Sequence, residues 1–201
     1  MAAEVSLLEM LDARERRVHH QQELLAQYQK PLVCFTMNIA GPVKDSPLIR
    51  RGFARGQQLL RQQFLRAKLT PLHTDAACAP TGCEAFYVLD ADPLAIKKFT
   101  TDIEDATPLG RLFDMDVLRP NGIKVDREEL HLEGRCCLIC GGPAKACSSR
   151  RIHTVAELQT KTTAILTETL DAWDAATAAQ QAVRALLYEV TTTPKPGLVD
   201  R

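Results

Sequence analysis

The sequence predicts an α+β fold: a mixed, largely antiparallel sheet covered by helices. Three observations carry that prediction. Stretches of helical length with N-terminal cap signals begin at Ser6, Ser46, Asp92 and Thr154. Short apolar runs bounded by proline or glycine stand between them, as in LVCFTMNI from Leu32 to Ile39. The stretch GRLFDMDV, from Gly110 to Val117, alternates acidic and apolar residues with the two-residue period of a strand.

Taken in order, Ser6-Leu7-Leu8-Glu9 fits a capping box. Leu7, Leu11, Val18 and Leu25 then form a helical stripe as far as Pro31. Arg14, Arg16 and Arg17 lie between them, an arrangement most often found on a solvated face. Leu32 to Ile39 is expected to be a buried strand. NIAGPVK (Asn38 to Lys44) overlaps its end, and a Gly-Pro turn there brings backbone amides and a lysine near one point, which suits phosphate. The P-loop spacing of glycines and Lys-Ser/Thr is missing.

Ser46-Pro47 opens a second helix, with Ser as N-cap and Pro in the first position. Ile49, Phe53, Leu60 and Phe64 mark its inner side. Arg50, Arg51, Arg55, Arg61 and Arg66 mark the outer side, either solvated or a docking surface for an acidic protein. Leu69 to Glu84 reads as a loop, with His73 an ordinary loop histidine, and Ala85 to Leu89 as a strand. Asp92-Pro93 opens a helix striped by Ile96, Phe99 and Ile103 and ending near Glu104. Arg119 to Gly122 is a turn, after which Ile123 to Asp126 should pair back as a hairpin. The expected strands are therefore near 32–39, 85–90, 111–118 and 123–126. Thr154 to Glu157 is a second capping box, opening a helix marked by Leu158, Ile165, Leu166 and Trp173. Thr177 to Gln180 should cap a further helix ending near Val190, and a Pro-rich tail without order is expected from Thr191.

The 201 residues suffice for one domain with a sizeable core. Lys+Arg and Asp+Glu both number 25, so charge gives no reason to expect nucleic acid or an anionic membrane surface as partner. No apolar run approaches the ~20 residues of a membrane span. The N-terminus lacks the basic and apolar regions of a signal peptide. Seven cysteines, four of them between Cys136 and Cys147, favour reduced thiols or a metal site over a disulfide framework, and hence the cytoplasm.

Two constellations carry chemistry. On a strand, Asp114 and Asp116 share one face about 7 Å apart, a platform for one or two hard cations. Phe113, Met115 and Val117 then point into apolar packing. The same spacing also fits the solvated acidic face of a hairpin. Arg111 is off the aspartate face unless the strand starts late or bulges at Gly110, and Glu104 is placed to supply a third carboxylate. The second constellation, Cys137-x2-Cys140-x6-Cys147-x5-His153, offers four soft ligands at spacings suited to zinc. Its alternative is a set of packed, reduced cysteines that orients Arg135, Lys145, Arg150, Arg151 and His153 for phosphate.

GRLFDMDV resembles the G-R-L-x-D-x-D-V signature of the citrate lyase holo-acyl-carrier-protein synthases, the apo-citrate lyase phosphoribosyl-dephospho-CoA transferases. Further pieces agree in order: the Arg-rich first helix to Gln21, NIAGPVK, TGCE (Thr81 to Glu84), Ile103-Glu104, RCCLICGGPAKAC (Arg135 to Cys147) and His153. The resemblance runs from about Leu7 to about Leu170. It departs from the family at Thr107, where a histidine is common, and at Ser149, where an arginine is common and Arg150 would replace it.

The resemblance implies a nucleotidyltransferase reaction. A serine of the citrate lyase acyl carrier protein attacks the α-phosphorus of triphosphoribosyl-dephospho-CoA, and pyrophosphate leaves. It implies Mg²⁺ on Asp114 and Asp116, catalytic contributions from Arg111 and Glu104, and substrate contacts from Asn38, Lys44, Arg14, Arg17, Gln21, Arg135 and His153. Base assistance is left open between the aspartates and His153. The aspartate strand and hairpin are similar to nucleotidyltransferase sheets at the level of fold. Residues 1–174 would form the transferase domain. Residues 175–201 resemble the start of a triphosphoribosyl-dephospho-CoA synthase, implying a truncated fusion. Two rivals are a non-catalytic zinc-ribbon module built on the Cys/His cluster and the analogous transferase of malonate decarboxylase.

Overall fold

A computed structural model describes the backbone of residues 3–192 and side chains as far as residue 181. Four strands form one sheet in the order β2-β3-β1-β4: β1 (Leu32–Met37), β2 (His73–Ala79), β3 (Gly82–Val88) and β4 (Phe113–Leu118). All three pairings are antiparallel. The helices are α1 (Leu7–Tyr28), α2 (Pro47–Arg66), α3 (Pro93–Ala106), the short α4 (Ala144–Ser149) and α5 (Val155–Thr192).

The expected caps form. Ser6 and Glu9 make a reciprocal box, Ser46 accepts from the Ile49 amide with Pro47 behind it, Asp92 accepts from Ala95, and Thr154 and Glu157 make a second box. Each satisfies amides that a helix start leaves without partners.

The two sheet faces are unlike. Val33, Phe35, Ala85, Tyr87, Phe113, Met115 and Val117 point to the main core, closed by Ile49, Phe53, Leu60 and Phe64 of α2, Ile96 and Ile103 of α3, and Ile165, Leu166 and Leu170 of α5. Phe35 stacks on Phe53 at 4.7 Å. Helix α2 comes this close because Gly56 faces Phe35 and Phe113 and Gly52 faces Leu166, where a Cβ would intrude. The opposite face is apolar only at one end, where Leu24 and Leu25 of α1 meet Leu32, Cys34, Phe86 and Val88.

Several expectations are corrected. The Leu7, Leu11, Val18 stripe of α1 is largely exposed. The helix instead turns Arg17 and His20 toward the sheet, where Glu84 and Asp75 accept their bonds at 2.6 and 2.9 Å. A polar sheet surface selects a polar helix face. The stretch expected to be a loop contains β2. It is an exposed edge strand without apolar alternation, so its sequence lacks the period that betrays half-buried strands. His73 lies on it, accepting or donating a bond with the Tyr28 hydroxyl at 3.3 Å. Cys78 and Cys83, directly opposed across the β2–β3 hairpin, are disulfide-bonded, contrary to the expectation of reduced thiols.

Ile123 to Asp126 returns along β4 through a single bridge, Leu118 to Lys124, because Asp126 already caps a 3-10 turn at Arg127–Leu130. No second helix begins at Thr177. Its hydroxyl bonds back to the Trp173 carbonyl at 2.9 Å, and α5 continues through the expected 174/175 boundary. Of the tail expected from Thr191, Thr191 and Thr192 still belong to α5 and the rest lies outside the described residues, as do the side chains beyond residue 181. Among the described residues no helix is long and apolar enough to cross a membrane.

Candidate active site

The edge of β4 away from β1 has backbone groups that no strand completes, and side chains complete them. Glu104 accepts from the Met115 amide at 2.8 Å, Lys97 donates to the Met115 carbonyl at 3.3 Å, and Arg135 donates to the Phe113 carbonyl at 2.6 Å. The returning chain adds Val125 N–H to the Val117 carbonyl at 2.8 Å. This fixes the strand that carries Asp114 and Asp116. Phe113, Met115 and Val117 are fully buried, while both aspartates project from the other face, as the alternation requires.

Gly110–Leu112 forms a 3-10 turn rather than the start of the strand. A Cβ on Gly110 would meet the carbonyl oxygens of Ile103 and Glu104, the latter at 2.8 Å, so only glycine lets the turn seat on the end of α3. The turn also directs Arg111 away from the aspartates. Its guanidinium bonds the Cys136 carbonyl at 2.5 Å and Asp105 at 3.4 Å.

Two cavities meet at β4, and a third adjoins them. A polar cleft of about 160 Å³ is lined by Arg14, Arg17, Asn38, Lys44, Thr81 and Asp114, among others. Four of the expected substrate contacts thus do come together beside the first aspartate. The Asn38 amide bonds the Leu112 carbonyl at 2.8 Å, which ties the end of β1 to the turn before β4. The Lys44 ammonium donates to the Ile39 carbonyl at 2.5 Å. Burial, with the neighbouring Arg14 charge, holds Lys44 below its ordinary value. Glu84 of TGCE orients Arg17, and burial raises the Cys34 thiol to about 12, with nearby Gln21 and Arg17 pulling the other way.

An adjoining cleft of about 260 Å³ is lined by Asp114, Asp116, Glu104, Lys97, Lys124, Arg127 and Arg135 among others. Asp114 is open to solvent yet walled by protein. That desolvation, and Asp116 beside it, push its carboxyl above the ordinary range. Asp116 accepts from Lys124 at 2.5 Å. Burial pulls Lys124 down, but this bond and the surrounding carboxylates outweigh it and leave it raised. Lys124 and Arg127 had no role in the sequence reading. The hairpin register would have pointed to Lys124, since its pairing with Leu118 sets it beside Asp116.

Glu104 is not presented as a third free carboxylate. Besides the Met115 amide it pairs with Arg135 at 3.0 Å and Arg127 at 3.2 Å and is almost fully buried. It positions the strand and two arginines. Two hard carboxylates on a rigid strand, one of them without a bonded cation among the described residues, fit Mg²⁺ in donor type.

The third cavity, about 680 Å³, lies under the thiol lobe. Asn38, Arg111, Arg135, Arg151 and His153 line it together with Leu138, Val155 and Leu158. Of Arg150 and Arg151, Arg151 lines this cavity. His153 and the aspartates line different cavities. The ligand atoms of Cys137, Cys140, Cys147 and His153 lie within 4.8 Å of one another. The neighbouring Gly142 amide, His153 and Cys147 lower Cys140 to about 6, and the Cys140 sulfur 3.5 Å away raises Cys147 to about 11.

On α2, Arg50 pairs with Asp45, Arg51 with Asp174, and Arg55 lies over the Trp173 ring. Three of the five outer arginines therefore have partners within the chain. Thr107, where a histidine was expected from the family, accepts from the Gly110 amide at 3.1 Å.

A family model for apo-citrate lyase phosphoribosyl-dephospho-CoA transferase matches residues 5–169. A transferase of that name from Citrobacter koseri is 35% identical over 162 residues, covering 81% of this chain and 88% of that protein. One from Escherichia coli is 33% identical over 164 residues, covering 82% and 90%. A Haemophilus influenzae protein named CitXG is 34% identical over 198 residues, which is 98% of this chain but 42% of that protein. The match spans the cationic cleft, the aspartate strand and the thiol lobe, and the chain belongs to the apo-citrate lyase phosphoribosyl-dephospho-CoA transferase family.

Proposed function

We propose that the protein transfers the phosphoribosyl-dephospho-CoA group from triphosphoribosyl-dephospho-CoA to a serine of the citrate lyase acyl carrier protein. The serine oxygen forms a bond to the α-phosphorus, the α–β anhydride bond breaks, and pyrophosphate leaves. The hydroxyl proton passes to a carboxylate of the site or to water. The CoA-derived donor makes this a cytoplasmic reaction.

One observation carries the reading: Asp114 stands where the cationic cleft of Arg14, Arg17 and Lys44 meets the acidic cleft. Phosphoryl-type transfer needs alignment and charge stabilisation more than covalent chemistry. Arg14, Arg17 and Lys44 would hold the polyphosphate, with Arg17 kept in place by Glu84. Asp114 and Asp116 would hold Mg²⁺, which when bound neutralises charge on the phosphates. The large, mainly apolar cavity suits the nucleoside and pantetheine parts of the donor, with Arg111, Arg135 and Arg151 at its wall. Lys124 holds Asp116 in place through their ion pair.

The test is substitution of the aspartates. Asp114→Asn and Asp116→Asn should each reduce transfer at least ~100-fold, the scale of losing a principal electrostatic stabiliser. Folding should persist, since neither side chain packs in the core. Near-normal transfer by both variants would remove the aspartates from the mechanism.

A further inference from the structure

We propose that Cys137, Cys140, Cys147 and His153 bind one zinc ion, which holds the lobe around residues 135–154 against the substrate cavity. The four ligand atoms converge within 4.8 Å. With Zn–S bonds of about 2.3 Å, tetrahedral geometry sets ligand atoms about 3.5–4 Å apart. The Cys140 and Cys147 sulfurs are 3.5 Å apart, a ligand–ligand spacing and far beyond a disulfide bond. Three thiols and an imidazole select zinc over the hard cations that suit Asp114 and Asp116.

The backbone around the first pair is shaped for thiolates. Cys137 N–H donates to the Gly142 carbonyl at 2.6 Å, and Gly141 N–H donates to the Cys137 carbonyl at 3.1 Å, closing a tight turn. Gly141 occupies the left-handed region at φ 73°. Ile139 N–H donates to the Cys137 sulfur at 3.5 Å. An amide aimed at sulfur stabilises negative charge there. The imidazole gives an independent sign: His153 Nε2 is buried and has no hydrogen-bond partner among the described residues. A buried ring nitrogen left in that state is costly unless something binds it.

The lobe also needs a fastening. Its only helix is six residues long, and Leu138 and Cys147 are its main inward apolar side chains. So little apolar surface does not order a segment of this length alone. What the lobe holds matters for the site. Arg135 reaches from it to the Phe113 carbonyl and Glu104, and the Cys136 carbonyl anchors Arg111. The ion is therefore a structural clamp beside the substrate cavity.

The experiment uses the full chain produced with zinc supplied, and reads metal and amide exchange with neither donor nor carrier present. Purified protein should retain about one zinc per chain, and Co²⁺ exchanged into it should show thiolate-to-metal charge transfer. Chelation should abolish amide protection across 135–154 and leave β1 and β3 protected. Cys147→Ala should lower zinc content at least tenfold with the sheet intact. Less than a tenth of an equivalent of zinc, with lobe protection unchanged by chelator, would overturn the proposal. So would undiminished zinc in Cys147→Ala, or a Co²⁺ form without thiolate bands. Each readout is independent of transfer, so failure of the zinc site and failure of the transfer reaction are separately visible.

Discussion

At the residue scale, the two-residue period settled which side chains of GRLFDMDV face the chemistry. Asp114 and Asp116 project together because Phe113, Met115 and Val117 cannot leave the core. What the period could not reveal was the use of Glu104. A carboxylate at the end of a helix is readable as a ligand, but only the packed structure shows it answering the Met115 amide and two arginines. Glu104→Gln separates these roles. The amide can still accept from Met115, yet Arg127 and Arg135 lose a buried countercharge. Removing one partner of a buried pair costs about 3 kcal/mol. Thermal or urea unfolding should show that loss, with transfer reduced only as far as β4 shifts. Wild-type stability combined with abolished transfer would make Glu104 a catalytic group instead.

At the element scale, what was legible followed local chemistry. Four helix starts were readable because Ser6, Ser46, Asp92 and Thr154 satisfy amides within three residues. Strand β2 was not readable, because an exposed edge needs no apolar alternation, and its disulfide partner became evident only with the hairpin. The false cap at Thr177 has a similar cause: a threonine hydroxyl can bond back within a helix as readily as begin one. The glycine of GRLFDMDV gives the sharpest prediction. Gly110→Ala presses a Cβ onto backbone carbonyls of α3 that cannot swing aside. Overpacking of this kind costs about 1–3 kcal/mol, to be seen as a lower urea midpoint at unchanged slope. Unchanged stability would mean that the turn relaxes freely. For α5, the contacts to α2 end with Arg51–Asp174 and Arg55–Trp173 among the described side chains. Truncation after Asp174 should therefore leave transfer intact. A folded but inactive truncated protein would assign the remainder of the helix a part in the site.

At the scale of the whole molecule, the fold brings distant segments of sequence to one cleft. Helix α1 gives Arg14 and Arg17, the β1 exit gives Asn38 and Lys44, the hairpin gives Thr81 and, through Glu84, steadies Arg17, and β4 gives Asp114. The resemblance supplied these positions in order, but their convergence depends on the β2-β3-β1-β4 topology. Spacing alone placed His153 with the thiols, where the structure also has it, but could not show that Arg111 turns toward the lobe. The central claim, transfer of the prosthetic group to the carrier, is tested most directly by the mass of the carrier. The full chain, triphosphoribosyl-dephospho-CoA and Mg²⁺ should add one phosphoribosyl-dephospho-CoA group to the citrate lyase acyl carrier protein, with one pyrophosphate released per carrier. An unchanged mass with folded enzyme, or modification of the malonate decarboxylase carrier in place of the citrate lyase one, would contradict it.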